Sequence, residues 1–333
     1  MRIAVLGGTG FIGPYVVRRL AAGGHRVTVV HRGLQERDDL GDVLHVHADR
    51  SALGAAMEEV GEADVALDMA PFTEAAARLA VEALRGRVGR LVVISSVDVY
   101  RAFGAMLGVE ESPLPEPPVD EDSPLRSRLY PYRDSAPEGS PEWLREYDKI
   151  PIERLVMGDP EMPGTALRLG AVYGPGDRQH RLRPLVARID DGRPALLLER
   201  TQAAAHYPYV YVENVAAAIA AAVVDERAAG RIYNVGPERT PTVRAWTEAV
   251  AEALGWSGRV VLVGDGTLEE AAGVDHRHGM DLVSARIRAE LDVEDPVDFA
   301  TGVRRTAEYE RAHRGDGPTR EDYAREDRLL AAL

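Results

Sequence analysis

Seven residues near the start of the chain, Gly7-Gly8-Thr9-Gly10-Phe11-Ile12-Gly13, have the types and spacing that hold phosphate. Gly7 permits a tight turn, Gly10 lets the backbone approach a pyrophosphate, and Gly13 lets a following helix pack closely on the preceding strand. The helix start adds unpaired N–H groups and a partial positive charge. Pro14 is tolerated there, because the missing N–H would have had no helical partner. The expected ligand is a dinucleotide, with Thr9, Phe11 and Ile12 contributing to its cradle. A carboxylate at the end of the second strand would mark NAD. Here Val27–Val30 runs into His31-Arg32-Gly33 instead. A guanidinium suits a 2′-phosphate, so NADP is the expected cofactor, with NAD as the alternative. Asp49-Arg50 is expected to border the adenine, although Asp49 reads equally well as a helix cap.

Two further groupings carry possible chemistry. Asp177-Arg178-Gln179-His180-Arg181-Leu182-Arg183 places three arginines on one loop. Arg178 and Arg181 are candidates for a substrate diphosphate clamp, against the alternative of a solvated basic loop. His45/His47 and His276/His278 have the i, i+2 spacing of metal pairs, but no acidic or cysteine partners are grouped with them. No metal site is expected.

The elements that position these residues follow from apolar patterning. Runs at 2–6, 26–30, 43–47, 64–69 and 90–95 alternate with helical patterns, clearest at 11–22 and 73–85. Such alternation specifies an α/β fold with a doubly wound parallel sheet. Between Arg101 and Glu142 the pattern breaks, and eight of the 21 prolines fall there. Proline removes backbone donors and fixes φ, so this segment reads as a loop insertion, favoured as a lid. A helix over 149–158 and a strand at Thr165–Leu169 resume the sheet. Helices near 212–225 and 242–254, a strand near 259–263 and a capped helix from Thr319 complete the chain. The expected division is a Rossmann domain over 1–170, its sheet completed by 209–235. A smaller, discontinuous substrate lobe would cover 171–208 and 236–333.

Composition narrows the function. With 333 residues and 45% hydrophobic content the chain can bury a large core. Forty Lys+Arg against 54 Asp+Glu give a net charge of −14, which opposes nucleic-acid backbones. There is no cysteine, which excludes disulfides and thiol nucleophiles and fits a reducing compartment. No segment approaches the roughly 18 apolar residues of a membrane span, and the expected location is the cytoplasm. A small-molecule substrate is the expected partner, with a homodimer as a candidate assembly.

In these motifs the chain resembles the extended short-chain dehydrogenase/reductase superfamily, the NAD-dependent epimerase/dehydratase group, over roughly residues 1–290. The likeness rests on an ordered series: the glycine motif, Asp64-Val65-Ala66-Leu67-Asp68-Met69-Ala70, Val93-Ile94-Ser95-Ser96-Val97-Asp98-Val99-Tyr100, Arg168–Gly176, Tyr209–Ala216 and Tyr233–Gly236. The resemblance implies a cofactor on the N-terminal lobe, with Ala70 beside it, and a substrate, often a sugar nucleotide, between the lobes. It further implies a reactive Ser, Tyr and Lys. Ser96 holds the Ser position and would polarise a carbonyl. Lys149, followed by Glu153, holds the Lys position and would bind the nicotinamide ribose. Asp98 and Arg145 would face the substrate.

The sequence departs from that pattern where it matters most. Arg145 stands four residues before Lys149, in the tyrosine's place, and a guanidinium cannot exchange a proton at neutral pH. Pro151 predicts a late helix start, with Asp148 as cap and Lys149 first. Tyr147 would then precede the helix and turn toward Ser96 as the proton-transfer group, with Tyr130 and Tyr132 in reserve. The expected function is an NAD(P)-dependent oxidoreductase or epimerase acting on a small hydroxyl or carbonyl substrate. The alternative is a redox-inactive nucleotide-binding or RNA-binding protein.

Overall fold

The computed structural model describes residues 1–35, 37–114, 117–268 and 274–332. Its strands are β1 (Arg2–Leu6), β2 (Arg26–His31), β3 (Leu44–His47), β4 (Val65–Asp68), β5 (Leu91–Ser96), β6 (Gly164–Leu169), β7 (Ala171–Tyr173), β8 (Ala195–Glu199), β9 (Tyr209–Tyr211), β10 (Ile232–Val235) and β11 (Arg259–Val263). Among the described residues, seven of these form one all-parallel sheet in the order β10-β6-β5-β4-β1-β2-β3. The order reverses at β1, which places a crevice at the carboxyl end of β1, where the glycine motif begins.

Helices cover both faces. They are α1 (Gly13–Ala22), α2 (Leu53–Val60), α3 (Glu74–Leu84), α4 (Arg101–Met106), α5 (Lys149–Met157), α6 (Arg183–Asp190), α7 (Arg200–Ala204), α8 (Val212–Val224), α9 (Val243–Ala253), α10 (Ala285–Leu291), α11 (Phe299–Ala312) and α12 (Arg320–Ala331). Strand side chains alternate between the two faces. Ile3 and Val5 of β1 join a core with Val16, Val17 and Leu20 of α1 and with most of α8. Ala4 and Leu6 join the opposite core, with Met57 of α2, Leu84 of α3 and Val156 of α5. Burial on both faces explains why these strands read as unbroken apolar runs.

The remaining strands pair off in parallel, β7 with β9 and β8 with β11. The segment expected to complete the sheet therefore divides: β10 joins its edge, whereas β9 pairs with β7 outside it. The expected Pro-rich excursion also opens differently, with α4, because residues 101–112 hold no proline and Ala102, Ala105 and Met106 are buried. At the far end, Thr319 caps α12 by accepting from the Asp322 N–H, and the Asp322 carboxylate accepts from the Thr319 N–H in return.

Candidate active site

The glycine loop has the shape of a phosphate cradle. Gly7 has φ +95°, in the region that favours glycine. A Cβ on Gly13 would come within 2.4 Å of the Gly8 carbonyl, so only glycine lets α1 start this close to β1. A Cβ on Gly10 would meet nothing within 4 Å, which leaves the space a pyrophosphate needs. Ile12 caps α1 without a side-chain hydrogen bond, and Pro14 sits in the first turn. Pro14 has no N–H and the Tyr15 N–H donates to the Ile12 carbonyl at 3.1 Å, so the donors left for an anion at this helix start are the Ile12 and Gly13 N–H groups. Ala70 lies against this loop, its Cβ 3.7 Å from where a Gly7 Cβ would stand. A cleft of about 570 Å³ opens beside the cradle, lined by Thr9, Gly10, Phe11, Arg37, Arg178 and Tyr309 among others. These features fit a dinucleotide.

At the adenosine end, Arg32 is exposed just past β2. Asp49 caps the short helical turn that follows β3, accepting from the N–H groups of Ser51 and Ala52. Its bonds from Ser51 hold the carboxyl below the usual range, and the Arg32 charge adds to the effect. Arg50 requires a correction. Expected at the adenine, its guanidinium instead grips Asp68 at 2.5 and 2.7 Å beneath the loop after β4. Asp68 is fully buried and needs a countercharge, and it also accepts from the Ala70 N–H at 3.1 Å. The pair thereby fixes the start of that loop.

The residues expected to react, Ser96, Tyr147 and Lys149, come together where β5, α5 and the Pro-rich segment meet. Helix α5 begins at Lys149, with Asp148 as its cap and Pro151 in the first turn. Tyr147 therefore precedes the helix, and its ring turns inward over the end of β5. Its hydroxyl is hydrogen-bonded to Asp98 Oδ2 at 2.7 Å and lies beside the Ser96 hydroxyl. Ser96 Oγ accepts from the Asp98 N–H at 3.2 Å. Lys149 Nζ donates to the carbonyls of Pro71 and Ile94 at 2.8 and 3.0 Å, and lies 5.5 Å from the centre of the Tyr147 ring. Burial lowers the lysine ammonium to about 8, against the opposing charges of Asp98 and Asp68. Burial also pushes the Tyr147 hydroxyl well above its ordinary range, with the Asp98 charge adding to this, and moves the Asp98 carboxyl up.

Arg145 is the second correction. Because α5 starts only at Lys149, residue 145 lies before the helix and shares no face with the lysine. It is exposed, and its guanidinium donates to the Arg133 carbonyl at 2.9 Å. The arginine loop is the third. Arg178 donates to Gln35 at 2.6 Å beside the phosphate cradle. Arg181 is held by Asp177 and the Val172 carbonyl, and Arg183 by Glu310. Each found a carboxylate, amide or carbonyl, and the three form no joint clamp. Of the reserve tyrosines, Tyr132 places its ring 5.5 Å from that of Tyr147, whereas Tyr130 turns its ring under Arg133.

Some site residues escaped the sequence reading. Phe72 and Trp143 stack at 4.6 Å, and the Phe72 ring lies 5.3 Å from Lys149 Nζ. Arg126 and Asp148 form a wholly buried ion pair that anchors the Pro-rich segment to α5. Nothing in their local sequence marks them, apart from Asp148 as a cap. Glu153, noted only as following Lys149, accepts from Ser95 and from two nitrogens of buried Arg168. Among the described residues no group of three His, Asp or Glu side chains is arranged to hold a metal.

A seven-stranded parallel sheet with a glycine loop at its switch point is the fold of an α/β enzyme that works with a nicotinamide dinucleotide. The chain belongs to the NAD-dependent epimerase/dehydratase family, whose model matches residues 3–132 and 143–236. It is 30% identical to a 3-diazoavenalumate denitrifying reductase from a Streptomyces species over 274 residues, 77% of this chain and 82% of that protein. It is 29% identical to the 2′-dehydrokanamycin reductase of Streptomyces kanamyceticus over 266 residues, 77% of this chain and 67% of that one. The fold is also that of the UDP-glucose 4-epimerase of Thermus thermophilus, solved with NAD. That likeness has a TM-score of 0.65 at 24% identity and covers 93% of this chain and 99% of that one. Among the described residues no helix is long and apolar enough to cross a membrane.

Proposed function

We propose that this protein is an NADP(H)-dependent reductase of a carbonyl group on a small molecule, with Ser96, Tyr147 and Lys149 as its reactive set. The observation that carries this reading is the Tyr147 hydroxyl, brought beside Ser96 and Asp98 although it stands outside the expected spacing. When bound, the dinucleotide exchanges hydride with the substrate carbon. The cradle of Gly7, Thr9, Gly10, Phe11, Ile12 and Gly13, with Ala70, would hold it. Ser96 would donate to the carbonyl oxygen and Tyr147 would protonate it. Lys149, with its two carbonyl partners, would fix the nicotinamide ribose. Arg32 would take the 2′-phosphate, with Asp49 at the ribose edge.

Two considerations favour a plain carbonyl substrate over a sugar nucleotide. Both curated relatives are reductases by name. The three loop arginines that could have clamped a diphosphate are each engaged elsewhere. The test is dinucleotide binding by calorimetry, followed by absorbance of the reduced dinucleotide across a panel of ketones and ketosugars. Net oxidation with at least one of them is expected. Absence of any dinucleotide binding would overturn the reading. Conversion of UDP-sugars without net oxidation would make the protein an epimerase instead.

A further inference from the structure

Asp98 is a carboxyl group whose surroundings are hard to reconcile with a resting negative charge. It lies in the helical turn Val97–Val99 that follows β5, and it is buried. Oδ2 meets the Tyr147 hydroxyl at 2.7 Å, whereas Oδ1 is buried with no hydrogen-bond partner among the described residues. Two cations face it, and both direct their donors elsewhere. Arg126, from the Pro-rich segment, gives Nε to the Asp98 backbone carbonyl, Nη1 to the Arg128 carbonyl and Nη2 to Asp148. Lys149, from α5, donates to the carbonyls of Pro71 and Ile94. The other titratable groups that face it are the Tyr132 hydroxyl and the Asp148 carboxylate, and the charge of Asp148 repels it. An unpartnered buried carboxylate oxygen is costly, whereas the carbonyl oxygen of a neutral acid demands much less. The burial that raises the Asp98 carboxyl acts in the same direction.

We propose that Asp98 is the proton store behind Tyr147: it holds a proton on Oδ2 and passes it to the Tyr147 oxygen as that hydroxyl protonates the substrate. This rests on the reading of the site as one that reduces a carbonyl. Heavy-atom positions do not say which oxygen carries the proton in a 2.7 Å contact. With the proton on Asp98, the contact is donated from Oδ2 to Tyr147, and the tyrosine's own proton is free for the substrate. Hydride from the reduced dinucleotide adds two electrons to the carbonyl carbon, and the C=O π pair moves to oxygen. That oxygen takes the proton from Tyr147 as the phenolic O–H bond breaks. The phenolate oxygen takes the proton from Asp98 as its O–H bond breaks. The product is an alcohol, and the charge rests on the Asp98 carboxylate between Arg126 and Lys149 until solvent reprotonates it. Tyr147 never has to persist as a phenolate, which its burial would penalise.

Infrared difference spectra of the full chain, wild type against Asp98→Asn, read the store directly without any substrate. The expected result at neutral pH is a protonated-carboxyl C=O band that shifts in D₂O, bleaches as pH rises and is absent from Asp98→Asn. Tyr147→Phe provides an independent check, because the band should persist there and shift once its phenol partner is gone. A neutral-pH difference spectrum holding only carboxylate bands would overturn the proposal, as would a band indifferent to Tyr147→Phe. Turnover is then followed with the reduced dinucleotide and the ketone panel. Asp98→Asn should lower kcat by roughly 10²-fold at unchanged KM and lose the alkaline fall in rate seen in the wild type. A variant that keeps both the rate and the alkaline limb would also overturn it. If no member of the panel is turned over, the reductase reading fails and the relay falls with it, whatever the infrared band shows.

Discussion

Arg32 stands exposed past the end of β2, where most dinucleotide folds that favour NAD carry a carboxylate. Among its facing groups is Asp49, whose Oδ1 is taken by Ser51 and Ala52 and which forms no ion pair with it, so the guanidinium is available to a phosphate. A lost charge-assisted contact is worth on the order of 1.5–3 kcal/mol. Arg32→Ala should therefore weaken NADPH binding about tenfold or more and leave NADH nearly unchanged, as calorimetric titration of both would show. Equal affinity for the two in the wild type would refute the preference. Tyr147→Phe removes one hydroxyl and leaves the ring packed against Tyr132. Turnover should fall by roughly 10²-fold with dinucleotide affinity unchanged, and full activity would shift attention to Tyr132. The sequence was informative about Tyr147 because one local fact, Pro151, dates the helix start. It pointed to roles for Arg50, Arg145 and Arg178 but not to their partners, because an arginine's partner is chosen in space. Asp68 lies 18 residues from Arg50, and Gln35 lies 143 from Arg178.

At the scale of elements, periodicity told most where one face of a helix or both faces of a strand are buried. It placed β1, α1, α3 and α5 within a residue or two. It failed over residues 101–142, where the prolines from 113 onward made the whole segment read as irregular, the short helix α4 before them included, and where the bonds that hold the segment are long-range. Those bonds divide it. The part up to Arg126 is pinned by the buried Arg126–Asp148 pair and by Glu121, which accepts from the Asn234 N–H. The part from 127 to 146 carries Arg128, Arg133 and Arg145 on its surface, and the family model skips 133–142 within it. Its Trp143 stacks on Phe72, beside Lys149. If this outer part closes over bound ligand, trypsin should cut after those three arginines more slowly once dinucleotide and substrate are both saturating. Cleavage rates unchanged by ligand, followed by mass measurement of the fragments, would make the segment a passive insertion.

At the scale of the whole molecule, the question is whether the sheet and the surrounding smaller elements behave as one unit. The chain leaves the sheet after β6, builds β7, α6, β8 and β9, and returns through α8 to β10 before leaving again. Helix α8 packs against α1 beside the glycine loop, and Asn214 near its start bonds the backbone of Val297 in both directions, at 2.8 and 3.1 Å. One apolar core runs from Ile3 and Val5 of β1 through α8 to Trp246 of α9 and Val303 of α11. A core shared in this way cannot be dismantled on one side without exposing the other, so a single cooperative transition is expected. Ligand that binds only the folded state should then stabilise all of it. At about 100 times Kd the gain is about 2.7 kcal/mol. With an unfolding entropy of about 2.1 cal/mol/K per residue, that gain should raise Tm by about 4 °C. Scanning calorimetry with NADPH should show one peak moving by that amount. Arg32→Ala, at an exposed position, should melt at the wild-type temperature without ligand, and at the same NADPH concentration its peak should move less. Two separate peaks, only one of them shifted by NADPH, would mean that the lobes unfold independently and that cofactor binding is felt by the sheet alone.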